Sequence, residues 1–230
     1  MEKSKKQISV GPFVLASILT SYPDADFQSA LLELLDDESI SIPKTLVQSL
    51  ERIIENPVGV DDLRSEYIAI FDHSKSLNPL YETEYGRERA MFKAHELMDI
   101  AGFYRAFGFD LHEAGDREMV DHISVELEFY SLLLMKLQYL QELGDQEGCE
   151  VVLEGMRKFM DSHLGRFVGA ILERDGVRSS EIYRQIFEWT DMIVSQECER
   201  LGVRPETATW LSSQRESEEV CCGGSVAINK

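Results

Sequence analysis

The sequence predicts an all-α, single-domain bundle of about eight helices. Apolar residues recur at three- and four-residue steps along most of the 230 residues, and two-residue alternation is nearly absent. The longest periodic stretch, Glu118 to Leu143, contains neither Pro nor Gly. A hydrophobic content of 43% with 28% charged residues is enough for a sizeable buried core.

In chain order, the first helix is expected from about Pro12 to Ser21, and Tyr22-Pro23-Asp24 stops it. Asp24 then caps a second helix, which turns Phe27, Leu31, Leu34 and Leu35 inward. Pro43 sits in the first turn of a third, built on Leu46, Leu50, Ile53 and Ile54 and ended by Asn56-Pro57. Asp61 or Asp62 opens a fourth through Leu63, Tyr67, Ile70 and Phe71. The long irregular piece 72–86 follows, and a loop of that length inside a helical domain points to function. The next helix runs from about Arg87 to Phe107.

The helix from Glu118 is expected to be central, with Met119, Ile123, Leu127, Tyr130, Leu134 and Leu137 on one face. Glu118, His122 and Glu126 would stack on another face of it. A helix from Gln146 to about Arg174 is expected to bend near Gly165 or Gly169, and Ser179 or Ser180 caps the last, ending at Leu201. Residues 1–202 form the domain, and 203–230 read as a polar, loosely held tail.

The net charge of −19, from 23 basic and 42 acidic residues, argues against nucleic-acid and anionic-membrane partners. It favours a basic peptide or protein segment. Six carboxylates and one base lie between Glu113 and Glu128. Lys3, Lys5 and Lys6 before the apolar run Val10 to Leu19 imitate a short secretory signal, but Pro12 and the missing A-x-A site make it the first helix of the fold. No apolar run is long enough to span a bilayer. The four cysteines have no framework spacing, which fits a reducing cytoplasm.

Catalytic and metal patterns are weak. His95-Glu96-Leu97-Met98-Asp99 has Asp where a zinc-protease helix needs its second His. No His has Glu three residues before it, so a di-iron bundle fails. Asp121-His122 reverses the order of a His-Asp phosphohydrolase, and Cys221-Cys222 stands without a second thiolate pair. No phosphate loop or nucleophile elbow occurs. The reading is of a non-enzyme without cofactor or metal. A metal-dependent hydrolase using His95, Asp121 and His122, and an acidic helical adaptor, stand as alternatives.

Three segments resemble the TorD/DmsD/NarJ group of cytoplasmic molybdoenzyme-maturation chaperones. Tyr67-Ile-Ala-Ile-Phe71 is similar to the group's aromatic-x-x-Leu-Phe segment, with Ile70 for Leu. Pro79-Leu-Tyr-Glu-Thr-Glu-Tyr85 resembles the loop that follows. Glu118, then Asp121-His122, matches the Glu-x-x-Asp-His signature. A fainter match is Phe159-Met-Asp-Ser-His163-Leu164, after which the expected Trp-x-Pro is missing. The likeness spans about Tyr67 to Phe167, and the Tyr-Glu-Thr-Glu-Tyr form points to the subgroup serving respiratory enzymes of the dimethyl-sulfoxide-reductase superfamily.

The resemblance implies an all-helical chaperone that holds the twin-arginine signal peptide, or the N-terminus, of a molybdopterin oxidoreductase subunit until its cofactor is in place. On that expectation Asp121, His122 and Glu126 form one groove with Pro79, Tyr81, Glu82, Glu84 and Tyr85. Glu118 flanks it and Tyr67 and Phe71 lie beneath. Carboxylates pair with guanidinium and aromatic faces receive cations and apolar side chains. Flanked by Glu118 and Glu126, His122 either titrates near neutrality or makes a structural hydrogen bond to the loop. The chain shows no twin-arginine segment of its own and is expected to stay inside as a monomer or a domain-exchanged dimer.

Overall fold

A computed structural model gives the fold and describes residues 9–75, 77–86, 89–109 and 118–209. Among them every extended element is a helix: α1 (Gly11–Thr20), α2 (Phe27–Leu35), α3 (Lys44–Glu55), α4 (Gly59–Tyr67), α5 (Arg89–Ala106), α6 (Ile123–Leu143), α7 (Gln146–Ser162), α8 (Leu164–Leu172), α9 (Asp175–Ser179) and α10 (Glu181–Leu201). The fold is all-α, as expected. Helices α1 and α7 flank α6, while α10 packs on α8, α9, α1, α3 and α7. The centre is thus shared between α6 and α10. No helix of the described residues is long and apolar enough to cross a membrane.

The apolar row of α6 lies where the spacing put it. Ile123, Leu127, Tyr130, Leu134 and Leu137 are all fully buried, each contributing about 1.5–3 kcal/mol. The start of the helix differs. Glu118 to Asp121 precede it, His122 is its N-cap, and Met119 is exposed. The acids therefore do not share a helix face with Glu126. The His122 ring makes the difference, because its Nδ1 accepts the Ser124 backbone N–H at 3.2 Å and satisfies a first-turn donor. Gly144 ends the helix in the left-handed region at φ 73°.

The helix expected from Gln146 to Arg174 is broken at His163, not bent at Gly165 or Gly169. Gly165 is still required there, since a Cβ would sit 2.4 Å from the Met160 carbonyl oxygen. Ser180 caps α10 as predicted, accepting from Tyr183 N at 3.0 Å. Asp24 does not cap α2. It accepts from Asp26 N at 3.0 Å in a turn before the helix.

Helix α4 runs into one π-helical turn, Ile68–Asp72. The piece after it is stapled down. Asn78 donates to Ile70 O at 3.2 Å and accepts from Gly176 N at 2.9 Å, and the Tyr85 hydroxyl donates to Pro79 O at 2.7 Å. Residues 203–209, which the sequence assigns to the tail, are bonded to the domain through Ala208 N to Arg166 O and Gly86 N to Thr209 O, both 2.8 Å. Residues 210–230, with Cys221 and Cys222, lie outside the described residues, as do 110–117.

Candidate functional site

The loop and the start of α6 meet in a short antiparallel bridge between Tyr81 and His122, which are 41 residues apart in the chain. Glu82 N donates to Asp121 O at 2.8 Å, and Ile123 N donates to Leu80 O at 2.9 Å. Side chains leave this clasp in two directions, as pleated backbone requires.

On the inner side, Asp121 Oδ2 accepts from Thr83 Oγ1 at 2.6 Å and from Thr83 N at 3.3 Å. The Glu82 carboxyl receives His163 Nδ1 at 3.1 Å, so the break between α7 and α8 is tied to the loop. His163 Nε2 comes within 3.3 Å of Asp99 Oδ2 without hydrogen-bond alignment. Glu126, with no exposed surface, completes the layer. Its pKa is raised well above the carboxylate range, first by burial and then by the neighbouring Glu82 and Asp121 carboxylates.

Neither Glu126 oxygen has a hydrogen-bond partner among the described residues. Glu96, on α5, is also raised, by burial and then by Glu82. Elsewhere in the core Glu197 shows the opposite solution. Tyr130 and Arg200 both donate to it, Arg200 through two 2.6 Å bonds. The inner clasp has no such cation among the described residues.

On the outer side, Tyr81 donates its phenol proton to Glu118 Oε2 at 2.6 Å, and Lys75 Nζ lies 4.5 Å from the centre of the Tyr81 ring. Burial and the Glu118 bond push the Tyr81 pKa up. The hollow beneath, between Tyr67, Phe71, Leu80, Tyr81, Glu118 and His122, measures about 10 Å³, room for one water. Tyr67 and Phe71 do lie beneath the clasp, but as core residues, their rings 5.0 Å apart and Phe71 edge-on to Tyr183.

The residues expected in one groove are thus neighbours, yet few of them face solvent. Asp121, His122, Glu126, Glu82, Tyr85, Tyr67 and Phe71 are buried, as is Pro79. Glu118 is exposed, with Tyr81 and Glu84 half-buried; Glu84 pairs with Lys93 Nζ at 2.6 Å. His122 does not titrate near neutrality. Burial lowers its pKa to about 4, against the smaller upward pull of Glu118, and Nδ1 is committed to Ser124 as acceptor. The structural hydrogen bond open to it goes to its own helix, not to the loop.

Sequence reading did not place Thr83, Ser124, Glu96 or Asp99 in the site, although it met Glu96 and Asp99 in the rejected zinc-protease pattern, and it met His163 only in the faint fourth segment. A signal for Thr83 was available, because a hydroxyl between two Glu residues in a loop is a ready donor for a facing carboxylate. Among the described residues, no three His, Cys, Asp or Glu side chains converge as metal ligands. His95 is exposed and His122 buried, so the two do not present a common face.

An all-helical domain, fastened by an aromatic and acidic loop across the start of a core helix, is the class defined by this geometry. The chain belongs to the nitrate reductase delta subunit family, whose model matches residues 40–173, from just before α3 to just past the end of α8. This is a family of NarJ/TorD-type chaperones that act on molybdoenzyme catalytic subunits during maturation. No curated protein matches the chain.

Proposed function

We propose that this chain is a cytoplasmic chaperone that binds the twin-arginine signal peptide, or the N-terminus, of a molybdopterin oxidoreductase catalytic subunit. It holds that segment while the cofactor is inserted and releases the subunit for export. The observation that carries the reading is the clasp itself. Within a chain of this family, it sets a carboxylate and an aromatic face side by side at one solvent edge, Glu118 and Tyr81, with Glu84 nearby. A guanidinium arriving there displaces Lys75 from the Tyr81 ring and pairs with Glu118. Asp121, His122, Glu82 and Glu126 serve binding by fixing that edge, and the charge of −19 draws basic leaders toward it.

The test is calorimetric titration of a synthetic twin-arginine peptide into wild type, Glu118→Gln and Tyr81→Ala. Glu118 is exposed and Tyr81 half-buried, and circular dichroism melts verify that both variants fold. Binding weakened about tenfold or more in each supports the reading; equal affinities across all three remove the edge from it. A molybdenum-enzyme subunit co-purifying with the chain is the second expected result, and its consistent absence on co-expression counts against the function as a whole.

A further inference from the structure

The clasp offers a cation a place to sit but gives an apolar segment no room, because its hollow holds one water. The room lies elsewhere. Between α5 and α7 is a hollow of about 590 Å³, lined by Gly102, Phe103, Ala106, Phe107, Val151 and Gly155 among others. A second hollow of about 480 Å³, between α6 and α7, adds Leu140 and Val152. The two share Ala106, Phe107 and Val151, so they form one trough across three helices.

The trough is built from small and apolar residues at helical spacing. Gly102 and Ala106 lie four apart on one face of α5, with Phe103 and Phe107 beside them. A Cβ on Gly102 would meet nothing within 4 Å, so its glycine leaves open floor. A Cβ on Gly155 would lie 2.2 Å from the Phe107 ring, so that glycine lets the ring lie flat and shape the waist between the two hollows. Val151 stands at the centre, 60% exposed. Asp99, Glu150 and Glu154 edge the first hollow, and Asp145 and Glu147 the second. Two ammonium groups oppose these five carboxylates. Lys158 is held by Glu154 at 3.5 Å, and Lys136 donates to Phe107 O at 3.1 Å.

An apolar floor inside an acidic rim complements a segment that is apolar in its body and basic at its flank. We propose that the α5–α6–α7 trough is the docking site for the apolar stretch of a basic-flanked client leader, separate from the clasp edge that takes the arginine pair. This rests on the chaperone reading above and assigns the larger part of the contact to a face that reading does not use.

The experiment titrates the full chain with a synthetic peptide in which two adjacent arginines precede about a dozen apolar residues. Wild type is compared with Gly102→Leu, which fills the floor from a position where a Cβ meets nothing within 4 Å, and Val151→Lys, which puts a charge at the exposed centre. Circular dichroism melts verify that both fold. Affinity lowered at least tenfold in both variants, with wild-type hydrogen-exchange protection over 99–107 and 147–158 on binding, is the expected result. Wild-type affinity in both variants overturns the trough and leaves the chaperone reading standing. A wild-type protein that ignores the peptide overturns both. If the variants instead abolish a concentration-dependent dimer and leave peptide binding intact, the trough is a contact between copies and the proposal falls.

Discussion

The clasp and the trough are opposites in nearly every physical respect. The clasp holds Glu82, Asp121, Glu126, His122 and His163 almost without solvent contact. The trough is open, lined by Phe, Val, Ala and Gly, and acidic only at its margin. Ionisable residues read from a sequence look like the part that meets a partner. Here most of them hold a loop to a helix, and a buried polar layer of this kind must be satisfied internally or it destabilises the fold. The open surface belongs to residues of no chemical distinction.

The comparison breaks most easily at Asp121. Asp121→Ala strips Thr83 of the acceptor for both its hydroxyl and its N–H, and we expect a loss of about 2–4 kcal/mol in urea unfolding at neutral pH. A loss below about 1 kcal/mol would mean that the inner layer does not hold the loop.

His122 comes next. Its folded pKa, about 4, lies below the unfolded value of 6.5. The stability it contributes is therefore complete above pH 6.5 and is lost as pH falls toward 4, on the order of 3 kcal/mol in all. His122→Asn keeps an oxygen to cap Ser124 N and removes the titration. Its unfolding midpoint should be flatter than wild type between those two pH values.

Glu126 has the other sign. A pKa raised in the folded state gives stability that is full below the unfolded value of 4.5 and declines as pH rises past it. Glu126→Gln copies the neutral acid at every pH. Thermal melts should place it above wild type at pH 7, by on the order of 1 kcal/mol, with the gain gone below pH 4.5.

In the trough the stability effects are small and favourable. Gly102→Ala removes a helix-interior glycine in open space and should add about 0.5–1 kcal/mol. At the clasp rim, Glu84→Gln breaks an ion pair more than one-third exposed on each side and should cost no more than about 0.5 kcal/mol in the same melts.

Helices α1 to α4, α6 and α10 were legible because their apolar residues follow the helical period and Ser180, Gly144 and Gly202 end or begin them by capping. The break at His163 was not. Phe159, Met160, Leu164, Phe167 and Ile171 are all fully buried, so the apolar pattern runs straight through it. The true start of α6 was hidden for a related reason. Acids at Glu118 and Asp121 are what a helix N-terminus favours, and only the tertiary contact with the loop shows that they lie outside it. That the loop meets Asp121-His122 came from resemblance, since no spacing rule joins residues so far apart. Burial of Glu126 was invisible, because one acid among six reads as a wetted surface.

One small feature reaches further than its size suggests. The far end of the loop, at Gly86, is tethered not by its neighbours in the chain but by Thr209, beyond α10, while Ala208 is anchored on α8. Trimming the polypeptide after Val203 would keep the cap of α10 and still untie the loop at that end. An affinity tag inserted near residue 209 would alter the loop's freedom.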